Sequence, residues 1–238
     1  MGLMGLFSRS PEQMLKKHGA RVTNRRAQNP DRWESIRVLS QMRTEAAVEA
    51  LLGRFTIRVD PTITDQEERD LAFHGILEAG EVAIELVKRF MGTADSIDWP
   101  LKILTELLPE AEVNDALLEV LGSMSTDYER DPHKKIQLVA TFEERHDSRV
   151  VEAVTPFLDD VNETVRFHSV GAIVAQQERD QAKDALLEAF AKEESVRVRA
   201  RIADAFIDHG WEVSDVEAVK TRLPTGYSID AKAHLHRR

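Results

Sequence analysis

The densest chemistry in the chain is one polar octet, Tyr128-Glu129-Arg130-Asp131-Pro132-His133-Lys134-Lys135. Arg130, Lys134 and Lys135 would set three cations side by side on an acidic protein, a patch suited to an acidic protein segment or a phosphate group. A plainer reading stays open beside it. Asp131 caps a helix, Pro132 occupies its first position and the lysines are solvated. Arg54, Lys88 and Arg89 fall on or beside helices expected to line an inner surface. With Tyr128, Arg130, Lys134 and Lys135 they make up the expected partner-binding set.

No other grouping reads as a reaction centre. The eight histidines, at 18, 74, 133, 146, 168, 209, 234 and 236, are scattered. His234 and His236 are close but lie near the chain's end, and His74 and His168 fall inside helices as packing or surface residues. Asp159-Asp160 sits at a helix junction, where carboxylates favour the next N-terminus. There is no nucleophile-elbow spacing, no glycine-rich phosphate loop and no His-Glu-x-x-His. Cysteine is absent, so disulfides, thiolate zinc sites and thiol nucleophiles are excluded. The chain is expected to be no enzyme and to hold neither cofactor nor metal. Trp33, Trp99 and Trp211 each stand near a helix start; they fill gaps between elements or, if exposed, anchor a partner.

The 238 residues carry a net charge of −10, 42% are hydrophobic and 6% aromatic. An acidic protein repels phosphate backbones, so nucleic acid is not an expected partner. The balance is uneven. Residues 1–32 hold seven basic side chains against Glu12 and Asp31, which leaves −15 on the rest. The opening Met1-Gly2-Leu3-Met4-Gly5-Leu6-Phe7 is apolar, short and followed by its basic residues, the reverse of a secretory signal. No run approaches the roughly eighteen apolar residues a membrane span needs. A cytoplasmic protein is expected, with membrane contact through the basic N-terminus as an alternative.

The elements that must position these residues announce themselves by repetition. Ala50, Glu85, Ala116, Ala153, Ala185 and Ala218 are spaced 35, 31, 37, 32 and 33 residues apart. One residue after each comes an aliphatic (Leu51, Leu86, Leu117, Val154, Leu186, Val219), and five after comes a large apolar residue (Phe55, Phe90, Leu121, Leu158, Phe190, Leu223). In a helix these offsets share an apolar stripe. A period near this length signals two-helix units, each needing a neighbour to bury its face. Ser10-Pro11-Glu12-Gln13 reads as a capping box for a first helix ending near Gly19. Asn29-Pro30, Thr44, Asp98 or a neighbour, Asp131-Pro132, Asn162 and Ser195 read as further starts. Pro156 predicts a kink or early end. Residues 56–64 and 122–131 are the two long connections; such insertions fall on one edge of a repeat array, often the binding edge, or are slack between units.

Asp160-Val161-Asn162-Glu163-Thr164-Val165-Arg166, followed by Ala172 and Asp184-Ala185-Leu186-Leu187, resembles a HEAT repeat. Ser195-Val196-Arg197-Val198-Arg199, with Ala203 and Glu217-Ala218-Val219, resembles it again. The likeness is strongest over 160–223, weaker over 30–121, and the whole chain resembles small bacterial HEAT-repeat proteins. It implies an all-α fold, a right-handed α-α superhelix of about six hairpins behind an N-terminal capping helix. It also implies that Arg166 and Arg199 join an inter-repeat polar ladder, although the second and third units lack the Val-Arg pair. The implied organisation is a basic N-terminal segment (1–28), a repeat array (29–224) and a C-terminal tail (225–238). The implied function is a protein–protein interaction scaffold or adaptor that uses a concave face. A DNA glycosylase or phycobilin-lyase type of HEAT-like enzyme is the remaining alternative. For it Asp98-Trp99 is the only echo, on a body of the wrong charge.

Overall fold

The computed structural model describes residues 10–238. The apolar opening septet, and with it the expected membrane anchor, lies outside the described residues. Within them the fold is all-α apart from one small hairpin: thirteen α-helices and a two-stranded sheet. No helix among the described residues is long and apolar enough to cross a membrane. The chain divides into two compact units, up to Val113 and from Asn114 on.

The first unit contains α1 (Pro11–Val22), α2 (Asn29–Met42), α3 (Glu45–Leu52), α4 (Thr62–Leu77), α5 (Glu81–Thr93), α6 (Asp98–Leu107) and the start of α7 (Glu110–Gly122). Ser10 and Gln13 close the capping box in both directions. α1 extends a turn beyond Gly19 and packs on α2 and α3. Thr44 accepts the Ala47 N–H. Asn29 does not cap. It is the first residue of α2, and its side chain donates instead to the Glu68 carboxylate at 2.8 Å, a charged and therefore better acceptor. Asp98 likewise opens α6 without capping it; Ser96 Oγ accepts the Asp98 N–H. First helices lie on first helices, α2 on α4 and α4 on α6, while α3 lies on α5. Gly75 permits a close approach of α4 to α2. A Cβ there would collide with the Ser40 side chain of α2 and reach 3.4 Å from its Cα.

The second unit contains the rest of α7, then α8 (His133–Thr141), α9 (Val150–Val154), α10 (Glu163–Val174), α11 (Lys183–Lys192), α12 (Val196–Asp208) and α13 (Val216–Lys220). Pro156 acts as expected. It has no N–H to continue the ladder, so α9 ends at Val154 and a 3-10 turn runs over Thr155–Asp159. Asn162 and Ser195 cap α10 and α12. α10 lies between α8 and α12, and α11 touches both α12 and α13. Phe167 on α10 lies under the Arg201 and Arg197 guanidiniums of α12, at 4.0 and 4.2 Å. Arg201 then passes Gly171 to reach Glu143, just beyond α8, at 2.6 Å. The other Glu143 oxygen meets His168 Nδ1 at 2.6 Å.

The residue after every alanine-type mark is buried: Leu51, Leu86, Leu117, Val154, Leu186 and Val219. Of the later set, Leu121, Leu158 and Phe190 are buried, while Phe55, Phe90 and Leu223 are half-buried.

Residues 225–238, expected as a tail, fold instead. β1 (Tyr227–Ile229) and β2 (Leu235–Arg237) pair antiparallel with Tyr227 opposite Arg237. The Tyr227 hydroxyl donates to Asp204 of α12 at 2.9 Å, and Arg237 Nε donates to the same carboxylate at 2.7 Å. Asp230 organises the turn. It accepts the Lys232 and His234 N–H groups and meets His236 Nε2 at 3.0 Å, which holds its carboxyl down at about 2.

Two outcomes follow. Gly75→Ala, despite the helix propensity it gains, should lower stability by about 2 kcal/mol, because α2 and α4 must separate. In a Ser40→Gly background the loss should shrink, which a urea-denaturation cycle reads directly. For Asp230, a folded value below the ordinary aspartate range means its support for the turn is complete above that range and fades as pH falls through about 2. Side-chain carboxyl NMR should show Asp230 titrating well below the ordinary aspartate range.

Candidate functional site

The expected binding residues sort by burial. Arg54, in the 3-10 turn after α3, is fully buried, not exposed on an inner surface. It lies among groups of α4 and the connection before it. Its Nε donates to Glu68 at 2.9 Å, one Nη to Asp65 at 2.6 Å and the other to the Ile57 carbonyl at 3.2 Å. Arg32 of α2 also meets Glu68, at 2.9 Å. Burial opposes ionisation of Glu68, yet the hydrogen bonds from Arg32, Asn29 and Arg54 hold its carboxyl below the usual range. A guanidinium removed from water needs all of this around it, so Arg54 is spent on folding. Lys88 and Arg89, on α5, do reach the surface. Lys88 is bound to Glu85 at 2.9 Å, and Arg89 lies 3.9 Å from Glu49.

In the second unit the expected octet splits. Asp131 accepts the His133 N–H, and α8 opens at His133, one residue later than expected. Lys135 is buried too, which overturns its place in a surface cation patch. Its ammonium contacts Asp160 at 2.8 Å, the Ser125 carbonyl at 2.7 Å, the Asp127 carbonyl at 3.3 Å and Glu129 at 3.2 Å. These four oxygens take up its three N–H donors. Lys135 is a pin that holds the 122–131 connection down. Thr126 adds a second tie by accepting the Val161 N–H through its carbonyl at 3.1 Å.

What the pin leaves outside is a cleft of about 270 Å³ lined by Tyr128, Arg130, Pro132, Lys135, Asp160 and Val161 among others. Tyr128 is 78% exposed and Val161 62%, two of the few large apolar side chains in water among the described residues. Arg130 is exposed beside them, and Lys134 is half-buried and does not line the cleft. Tyr128, Arg130 and Lys135 are thus brought together, with the charge of Lys135 neutralised beneath the other two. Asp160 and Val161 were missed as site residues, since as helix-junction residues they carry no signal of their own.

Arg166 and Arg199, assigned to a ladder by resemblance, meet at Glu193. The Arg166 guanidinium holds its carboxylate at 2.7 and 2.8 Å, and Arg199 donates to its carbonyl at 3.0 Å. Burial opposes charge on Glu193, but Arg166 and the Ser195 N–H hold its carboxyl below the usual range. Trp33 and Trp99 are half-buried; Trp211 is buried and donates its indole N–H to Asp180 at 2.8 Å. Among the described residues no three His, Asp or Glu side chains are arranged to hold a metal ion. Compared with protein-family models, curated proteins and solved structures, the chain matches none.

The two neighbouring lysines of the octet should therefore behave differently. Lys135→Glu sets a new carboxylate against Asp160 and should cost about 3 kcal/mol in urea denaturation. Lys134→Glu should change stability by about 1 kcal/mol or less. Equal effects would remove the pin from the account.

Proposed function

We propose that this chain is a non-enzymatic, cytoplasmic HEAT-like scaffold that binds a protein partner. The stacking of first helices on first helices within each unit supports a helical-repeat reading, as does the burial of all six marked aliphatic positions. The observation that carries the binding role is the pinned cleft. Exposed Tyr128 stands on a connection that Lys135 and Thr126 tie to the helices, beside exposed Val161 at the junction before α10, so an aromatic anchor is presented with little ordering left to do. Preorganised aromatic side chains of this kind are typical binding hot spots. A partner segment would set an apolar side chain against Tyr128 and Val161 and an acidic group against Arg130. Net charge −10 argues against nucleic acid as the partner.

A photo-crosslinking amino acid at position 128, compared in native cells with the same group at exposed Glu217, tests this. Position 128 should give a discrete protein adduct that Val161→Ser reduces and Glu217 does not give. Identical adduct patterns at the two positions, or none at 128, would overturn the reading.

A further inference from the structure

A second surface feature, on the first unit, stands apart from the Tyr128 cleft. Asp70 and Phe73 sit three residues apart on α4, and Trp99 and Lys102 three apart on α6, so each pair shares a helix face. The Lys102 ammonium lies over two rings at once, 4.4 Å from the centroid of Phe73 and 4.8 Å from that of Trp99. Phe55 backs Trp99 in a near-parallel stack at 4.8 Å and 17°. The carboxylate of Asp70 closes a further side, held in place by the Gln66 amide at 3.2 and 3.3 Å.

The distances rank the forces on this cation. Lys102 stands 3.7 Å from Asp70, beyond hydrogen-bond reach, whereas Lys88 and Lys192 approach their carboxylates to 2.9 and 3.0 Å. Lys102 is therefore seated by the ring faces, with the carboxylate supplying field and no hydrogen bond. Its side chain remains 51% exposed while Phe73 beneath it is buried, so solvent reaches the cation and Lys102 itself covers that ring. Two aromatic faces and an acidic group around one ammonium are the chemistry that recognises alkylated or free ammonium ligands.

We propose that Phe55, Phe73, Trp99 and Asp70 form a recognition site for the ammonium of a lysine side chain on another protein, with Lys102 as its exchangeable intramolecular occupant. The overall negative charge draws cationic partners toward the molecule. A tethered occupant competes at high effective concentration, so an incoming ligand meets only the fraction of molecules in which Lys102 has swung out. The inference does not use the Tyr128 cleft, and either can fail alone.

The test is a titration of the full chain with N-acetyl-lysine methylamide, followed by the Trp99 indole NMR signal. Lys102→Met keeps the apolar stem and vacates the charge; Lys102→Ala opens the seat further. Both should bind the probe at least about tenfold more tightly than the unaltered chain, the weakening expected when the competent fraction is small. Asp70→Asn should reduce binding in either background. Trp99→Leu should abolish it, read by diffusion NMR of the same probe since the indole signal is gone. The neutral, ε-acetylated probe should not bind. The proposal is overturned if vacating Lys102 gives no gain in affinity, if the neutral probe binds equally, or if both Lys102 variants lose the fold. That last outcome would make Lys102 a staple between α4 and α6.

Discussion

A cation taken out of water must be surrounded by oxygen, and this requirement shapes both units. Arg54 and Lys135 are buried side chains of full charge, and each stands next to one of the two long connections. Ionic desolvation is too costly to leave either half-satisfied. The connections are therefore drawn in until their carbonyls and carboxylates complete the shell: Ile57 and Asp65 for Arg54, Ser125, Asp127 and Glu129 for Lys135. Insertions that would otherwise wander are fixed by charge, where the rest of each unit is fixed by apolar stripes.

The same constraint explains why the candidate site is a mixture of rigid and exposed. The floor of the Tyr128 cleft is an ion pair with no spare valence, and its rim is an aromatic and a β-branched side chain in water. The charged groups hold the backbone, so the apolar groups above it are free to face outward. In the first unit Glu68 does comparable work between Arg32 and Arg54. The proposed ammonium seat differs from both, because its cation stays half in water and rests on rings.

Much of the helical architecture was legible because it rests on local rules. Ser10, Thr44, Asn162 and Ser195 cap as their side chains dictate, Pro156 ends α9, and the marked aliphatics are buried to the last one. The roles of Arg54 and Lys135 were not read, although a signal existed. Arg54 follows buried Leu51 by three residues, and Lys135 precedes buried Leu138 and Val139 by three and four. A charged residue in register with an apolar stripe is a buried ion awaiting partners. The partners themselves, Asp65 and Asp160, come from another helix start and could be found only in three dimensions. The closing hairpin escaped notice because three-residue strands leave too short an alternation to stand out from a polar tail.

Arg201 reaches past an entire helix. Its partner Glu143 lies 58 residues back in the chain, on the far side of α10, and Gly171 is the gap through which it passes. In an array where each hairpin touches only the next, an end can fray one layer at a time. Here, lifting α12 strips the Phe167 ring of both its guanidiniums and takes Arg201 away from Glu143. Loosening at the C-terminal end is thereby transmitted two layers inward at once, and this half of the molecule should open as a single block, without a graded peel.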